Sequence, residues 1–371
     1  MSCRRARWPL AAGLAAGVAL DALLGDPRRG HPVAAFGRAA AALEARDYAD
    51  SRPRGAAHAA ACVLAVAAPA ALLHRRIRSR PPLEAAAVAL AVWAVTGARS
   101  LHFSAERIMV SLSRNDLRSA RDELPSLCGR DPAQLSAGEI RRAVIESVAE
   151  NTSDAIVAPL LWGAVAGLPG LAAYRAVNTL DAMVGYRSPR YLRFGWASAR
   201  LDDAANWIPA RVTAALTIGC AGPRRAASAL AAVLRYGNRH PSPNAGRCEA
   251  AFAGALGLRL GGANVYGGVT EVRPELGEGR APESIDIGRA IRLSRAVTVA
   301  ATALVVLVPL ASGPLLRRLL PSSLVPGSSV QAAPVQAAPR PFGSRGVRRL
   351  ARGGCAVWLA GPLPAAEEEA G

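Results

Sequence analysis

Long, alanine-rich apolar runs recur along this chain and limit the folds open to it. Ala56 to Leu73 and Pro82 to Ala98 carry almost no charge, and the basic stretch HRRIRSR separates them. Each is about as long as a bilayer core is thick. Ala296 to Leu316, rich in valine and leucine, is another such run. Pro9 to Gly25 is apolar apart from Asp21 and follows Arg4, Arg5 and Arg7. Asp21 and the lack of a small-residue cleavage site distinguish it from a signal peptide. With few alternating β-branched stretches, these runs predict an all-α, polytopic membrane protein of bundled transmembrane and membrane-proximal helices.

Ala155 to Tyr174 is also long enough to cross, but GLPG (167–170) interrupts it. Glycine and proline there predict two short helices joined by a turn, either a re-entrant hairpin or a packed pair. Ile208 to Gly222 is short for a span. If neither crosses, the polar motifs of the chain share one face of the membrane. The segments 26–55 and 99–154 on that face hold six and eight arginines, against three at the N-terminus and four in 75–80. The positive-inside rule then makes the motif face cytoplasmic. Elsewhere, Ser136 and Glu139 open SAGEIRRAVIESVAE as a capping box, and Ser100 to Leu124 has helical spacing. Gly261 to Val272 reads as a glycine-rich loop. From residue 321 to 371 the chain is rich in Pro, Ser and Ala without helical period, which predicts a disordered extension to a 1–320 membrane domain.

Composition removes several chemistries. All 45 basic residues are arginine, so neither a Walker A lysine nor a Schiff-base lysine exists. Any phosphate must be held by arginine, backbone amides or a metal ion. The net charge of +18 is spread along the chain and is not interleaved with aromatics, which argues against nucleic acid. Cys3, Cys62, Cys128, Cys220, Cys248 and Cys355 form no CxxC pair and read as small apolar residues.

Polar groups concentrate between Arg141 and Arg211, in sequence that is otherwise apolar. Glu146, Glu150 and Asp154 recur every four residues and form an acidic stripe on a helix. Like charges at that spacing repel, and a divalent cation or an arginine would relieve them. Asn178 and Asp181 share a helix face, and Asp202, Asp203 and Asn206 lie within about one turn, beside Arg200 and Arg211. A structural salt-bridge network could use these residues too, but four acid or amide clusters in one segment favour a site. NRHPSPNAG (238–246) reads as a stiff loop carrying His240 and Asn244, with Glu249 and the glycine-rich NVYGG beyond it. Near the first helix, GDPRRGHP places Asp26 and His31 among arginines. That run reads either as a proline-terminated turn after a glycine cap or as an anion or metal anchor.

The chain closely resembles the CobD/CbiB family, the adenosylcobinamide-phosphate synthases. The matching motifs are GDPRRGHPVAAFGR (25–38), ESVAENTSDAIVAPL (146–160), AYRAVNTLDAMVGYRSPRYLRFGWASARLDDAANWIPAR (173–211), HPSPNAG (240–246) and GALGLRLGGANVYGG (254–268). They thread residues 10 to about 315, with small departures at Ala155 and Arg247-Cys248. The resemblance implies a multi-pass enzyme of the cell membrane in cobalamin biosynthesis. It would join adenosylcobyric acid to (R)-1-amino-2-propanol or its O-phosphate as an amide, using ATP and Mg²⁺. Glu146, Glu150, Asp154 and Asp181 are then expected to hold Mg²⁺ and ATP phosphates. Arg187, Arg200 and Arg211 would steady phosphoryl groups, with Asn178, Asn206, Asn244 and Tyr266 on the substrates. Asp202, Asp203 or His240 would take the amine proton. Expected partners are these substrates, membrane lipid and other corrin-pathway enzymes. The alternatives are a membrane transporter or a non-catalytic corrinoid-binding membrane protein.

Overall fold

A computed structural model describes residues 8–27, 30–266 and 269–311 of the chain. It opens with α1 (Trp8–Leu24), α2 (Pro32–Asp47), α3 (Arg52–Ile77), α4 (Pro81–Val95) and α5 (Ala98–Ser113). The short α6 (Leu117–Glu123) leads to α7 (Ala137–Thr152). From there a π-helical stretch, Ser153–Val157, continues into α8 (Ala158–Val184). The chain goes on through α9 (Tyr191–Phe194), α10 (Trp196–Ala205), α11 (Trp207–Cys220), α12 (Pro223–Tyr236) and α13 (Ala245–Leu256). A two-stranded hairpin, β1 (Leu260–Tyr266) and β2 (Val269–Leu276), precedes α14 (Ser284–Ala311). The N-terminal arginines, Arg28, Arg29 and the 321–371 extension lie outside the described residues.

The all-α expectation holds, and four stretches are long and apolar enough to cross a membrane: Arg52–Ile77, Pro81–Ser113, Ala137–Val184 and Ser284–Leu307. This is the build of a multi-pass membrane protein. Leu64 and Leu72 of α3, Leu90 of α4 and Val299 of α14 point outward, where acyl chains would cover them. At 17 residues, α1 falls just short of the others, and it packs along α4. The contact is backbone-close because Gly13 and Gly17 face Val88, Ala89 and Val92. A Cβ on Gly17 would stand 2.7 Å from the Ala89 carbonyl. Helices in lipid associate through such close van der Waals packing, since burial from water is no longer available as a driving force. Asp21, the one acid of α1, receives the backbone N–H of Arg99 at 3.2 Å and so caps α5. Arg99 in turn donates to the carbonyls of Ala22 and Leu23 at the end of α1.

The GLPG break folds α8 back on itself. Gly167 has φ 65° and ψ −144°, a conformation that a side chain would disfavour. Beyond it the second arm runs antiparallel to the first, with Leu171 against Gly163 and Gly170 on the Trp162 carbonyl. The apex meets His74 near the end of α3. The open end meets Gly195, and the adjoining Phe194 packs on Gly55 near the start of α3. The second arm therefore runs back beside α3, from His74 toward the Gly55 end.

The expected loop at 261–272 is instead an antiparallel β-hairpin, with Ala263 opposite Val272 and Val265 opposite Thr270. Gly261 and Gly262, at φ 85° and 98°, lie where the register shifts beside Leu260, with the extra residue on β2. The guanidinium of Arg142 then holds the carbonyls of Gly261 and Ala263. The capping box of Ser136 and Glu139 forms as expected at the start of α7.

Candidate active site

The second arm of α8 carries Tyr174, Arg175, Asn178 and Asp181 at helical spacings, facing α10 and the π-helical stretch. Asp202 Oδ1 accepts from Asn206 Nδ2 at 3.0 Å, one turn along α10, and from Asn178 Nδ2 at 3.4 Å across from α8. Asn178 Oδ1 accepts from Arg175 at 3.3 Å. The Tyr174 hydroxyl lies 2.9 Å from Asn206 Oδ1 and 2.8 Å from the Asp154 carbonyl. Asp154 sits in the π-helical stretch, the kind of widened turn that tends to mark functional sites.

Three carboxylates converge here. Asp154, Asp181 and Asp202 lie close enough to repel one another. Among the described residues no ion pair neutralises any of them. Burial pushes Asp202 up to about 6, and the hydrogen bonds from Asn206 and Asn178 pull in the opposite direction. Gly185 leaves the room that the Asp181 carboxylate fills. Among the described residues no three His, Cys, Asp or Glu side chains form a ready-made metal cage. Mg²⁺, however, is commonly held by one or two carboxylates together with phosphate and water, and Asp154 and Asp181 are the residues that would supply those carboxylates.

The acidic stripe expected on α7 does not act as one unit. Both oxygens of Glu146 are taken, one by Arg130 and the other by the Gly261 amide at 2.6 Å. Glu146 thus fastens the base of the β-hairpin, while Asp154 faces α8 and α10. Glu150, also buried, lies between the two clusters, near Cys128 and Cys248.

His240 belongs to the Glu146 side. Its Nδ1 accepts from the Ser242 amide at 3.0 Å, and Nε2 lies 3.2 Å from Arg273 and 3.9 Å from Glu249. Burial and the Arg273 charge push the imidazole down to about 4, so it is neutral at physiological pH. Asn244 links this loop to α10 by donating to the Asp203 carbonyl at 2.9 Å. Arg187 and Arg200 are exposed and near each other, with Glu271 of β2 beside Arg187. Arg211 stands apart, 3.8 Å over the Trp207 ring. Tyr266 falls in β1, its side chain outside the described residues.

Sequence reading passed over Tyr174, Arg175, Arg130 and Glu249 as functional residues. For Arg175 a signal existed: it is an arginine inside an apolar helical arm, a costly placement unless used. Asp26 and His31 also reach this region, since both act electrostatically on or with Arg175.

A sequence model of the CobD/CbiB protein family matches residues 14–294. The chain belongs to the CobD/CbiB family. Relatives named cobalamin biosynthesis protein CobD agree. That of Mycobacterium tuberculosis is 52% identical over 303 residues, covering 80% of this chain and 95% of the relative. That of Geobacter metallireducens is 46% identical, covering 70% and 84% respectively. The Chromobacterium violaceum protein is 43% identical, covering 74% and 88%. No solved structure matches the chain. As a CobD/CbiB family member the chain serves cobalamin biosynthesis, and the family match takes in every residue of the carboxylate cluster.

Proposed function

We propose that this CobD/CbiB member is an ATP-dependent ligase. It joins the free propionate of adenosylcobyric acid to (R)-1-amino-2-propanol or its O-phosphate as an amide. The observation that carries this reading is the convergence of Asp154, Asp181 and Asp202, none of them ion-paired among the described residues, beside the amides of Asn178 and Asn206. A cluster of this kind is costly unless a cation answers it. Bound Mg²⁺ would supply Lewis-acid neutralisation of phosphate oxygens.

A carboxylate does not condense with an amine at neutral pH until its oxygen is made a leaving group. In the balanced reaction a C–N bond forms, and the carboxyl oxygen departs with the phosphoryl group cleaved from ATP. The amine releases its protons. Asp154 and Asp181 hold the charge-bearing end of this assembly. Asp202, ionised above about pH 6 and oriented by two amides, takes the proton of the attacking amine. Arg187 and Arg200 at the rim, in a chain without lysine, draw in the anionic edge of the substrates. The arginine bias supports a cytoplasmic position for this face.

The test uses the full chain in nanodiscs with adenosylcobyric acid, the amine, ATP and Mg²⁺, followed by mass spectrometry and ADP release. Stoichiometric amide and ADP are expected. Unchanged substrates in all combinations would overturn the ligase reading and favour a transporter or a corrinoid-binding protein.

A further inference from the structure

Beside Arg175, Asp26 and His31 bring together buried polar groups that the carboxylate cluster does not use. Among the described residues, both side-chain oxygens of Asp26 are buried without a hydrogen-bond partner, as are His31 Nε2 and Arg175 Nε. His31 and Arg175 are only 9% and 5% exposed, so water cannot satisfy them freely. His31 caps α2 by accepting the Val33 N–H on Nδ1 at 3.2 Å. Burial favours its neutral form, and with Nδ1 as acceptor the proton sits on Nε2. Among the described residues the cluster therefore presents two acceptors on Asp26 and donors on His31 and Arg175 that no protein group takes.

Asp26 and Arg175 attract each other but do not come within ion-pair distance. A bare cation placed between them would meet the guanidinium, and a bare anion would meet the carboxylate. A short ligand with a cationic end and an oxygen-bearing end answers both. Arg175 also acts on Asp154, so these groups adjoin the carboxylate cluster.

We propose that Asp26, His31 and Arg175 form the subsite for the amine substrate. Asp26 accepts from the ammonium, while His31 Nε2–H and Arg175 donate to the hydroxyl or phosphate oxygen. The assignment rests on the ligase reading and adds to it the residues that select an amino alcohol.

The experiment measures KM separately for aminopropanol O-phosphate, ATP and adenosylcobyric acid in the full-length enzyme and in Asp26→Asn and His31→Asn. Asparagine at 31 can still cap α2, so that change removes the Nε2 donor alone. The amine KM should rise about tenfold or more in each variant, with the other two KM values within about twofold. Propanediol phosphate, which lacks the amine, should inhibit wild type weakly and Asp26→Asn about as well as the amine binds it. An unchanged amine KM, or a parallel rise in all three, would overturn the subsite. Should Asp26→Asn fail to fold, thermal shifts of wild-type protein decide: aminopropanol phosphate must stabilise it more than propanediol phosphate, and equal shifts sink the idea. A wild-type protein that makes no amide would instead sink the ligase reading.

Discussion

Asn206 donates to Asp202 at 3.0 Å across one turn of α10, and this bond favours the ionised carboxyl that burial opposes. Removing it in Asn206→Ala leaves the desolvation in place and moves Asp202 above about 6. Because the ionised form takes the amine proton, the acid limb of the kcat/KM profile should move to higher pH. Activity at neutral pH should fall on the order of tenfold. A pH–rate profile of the amide product checks this, and a uniform drop with no displaced limb would count against Asp202 as the base.

Glu249 should make stability depend on pH. Burial, helped by repulsion from Glu146, pushes it to about 8 from an ordinary 4.5. The folded state thus keeps a proton that the unfolded chain gives up, so this contribution is full below about 4.5 and is lost as pH rises through about 8. Thermal midpoints of the wild type should fall between about pH 5 and about pH 8, and Glu249→Gln should flatten that fall.

The ion pair of Arg130 with Glu146 is buried, and replacing one partner leaves the other charge without its counterpart. Glu146→Gln should lower stability by about 3–5 kcal/mol, read from thermal or denaturant unfolding in nanodiscs. Its Mg²⁺ requirement should stay that of wild type, whereas Asp154→Asn and Asp181→Asn should raise it. A raised Mg²⁺ requirement in Glu146→Gln would return Glu146 to the metal site.

Gly17 lets α1 lie against α4. Gly17→Val would press into Val92 and the Ala89 carbonyl, overpacking the crossing at a cost of about 1–3 kcal/mol. The thermal midpoint should drop while the wild-type KM values persist, because the crossing contributes no residue of the carboxylate cluster.

Much of the fold was legible because each helix depends on near neighbours in sequence. Apolar length marked α3, α4 and α14, Ser136 with Glu139 marked the start of α7, and GLPG marked the reversal in α8. The β-hairpin was not legible. Its glycines read as loop, and what holds the strands is Arg142 and Glu146, more than a hundred residues earlier. The acidic stripe misled for a similar reason: spacing of four places side chains on one face of an ideal helix. It says nothing of the π-helical stretch at Asp154 or of the amide that claims Glu146.

By itself the sequence determined the class of the protein, its lack of lysine chemistry, its family and the segment where polar groups cluster. Those are properties of composition, local periodicity and motif order, which need no third dimension. The tertiary structure alone decided that Asp154, Asp181 and Asp202 meet while Glu146 does not join them. It also decided that Asp26 and His31 come to Arg175 across about 150 residues of chain. Such meetings depend on the turn at Gly167 and on how α8, α10 and the α1–α2 turn pack, and no local pattern encodes them.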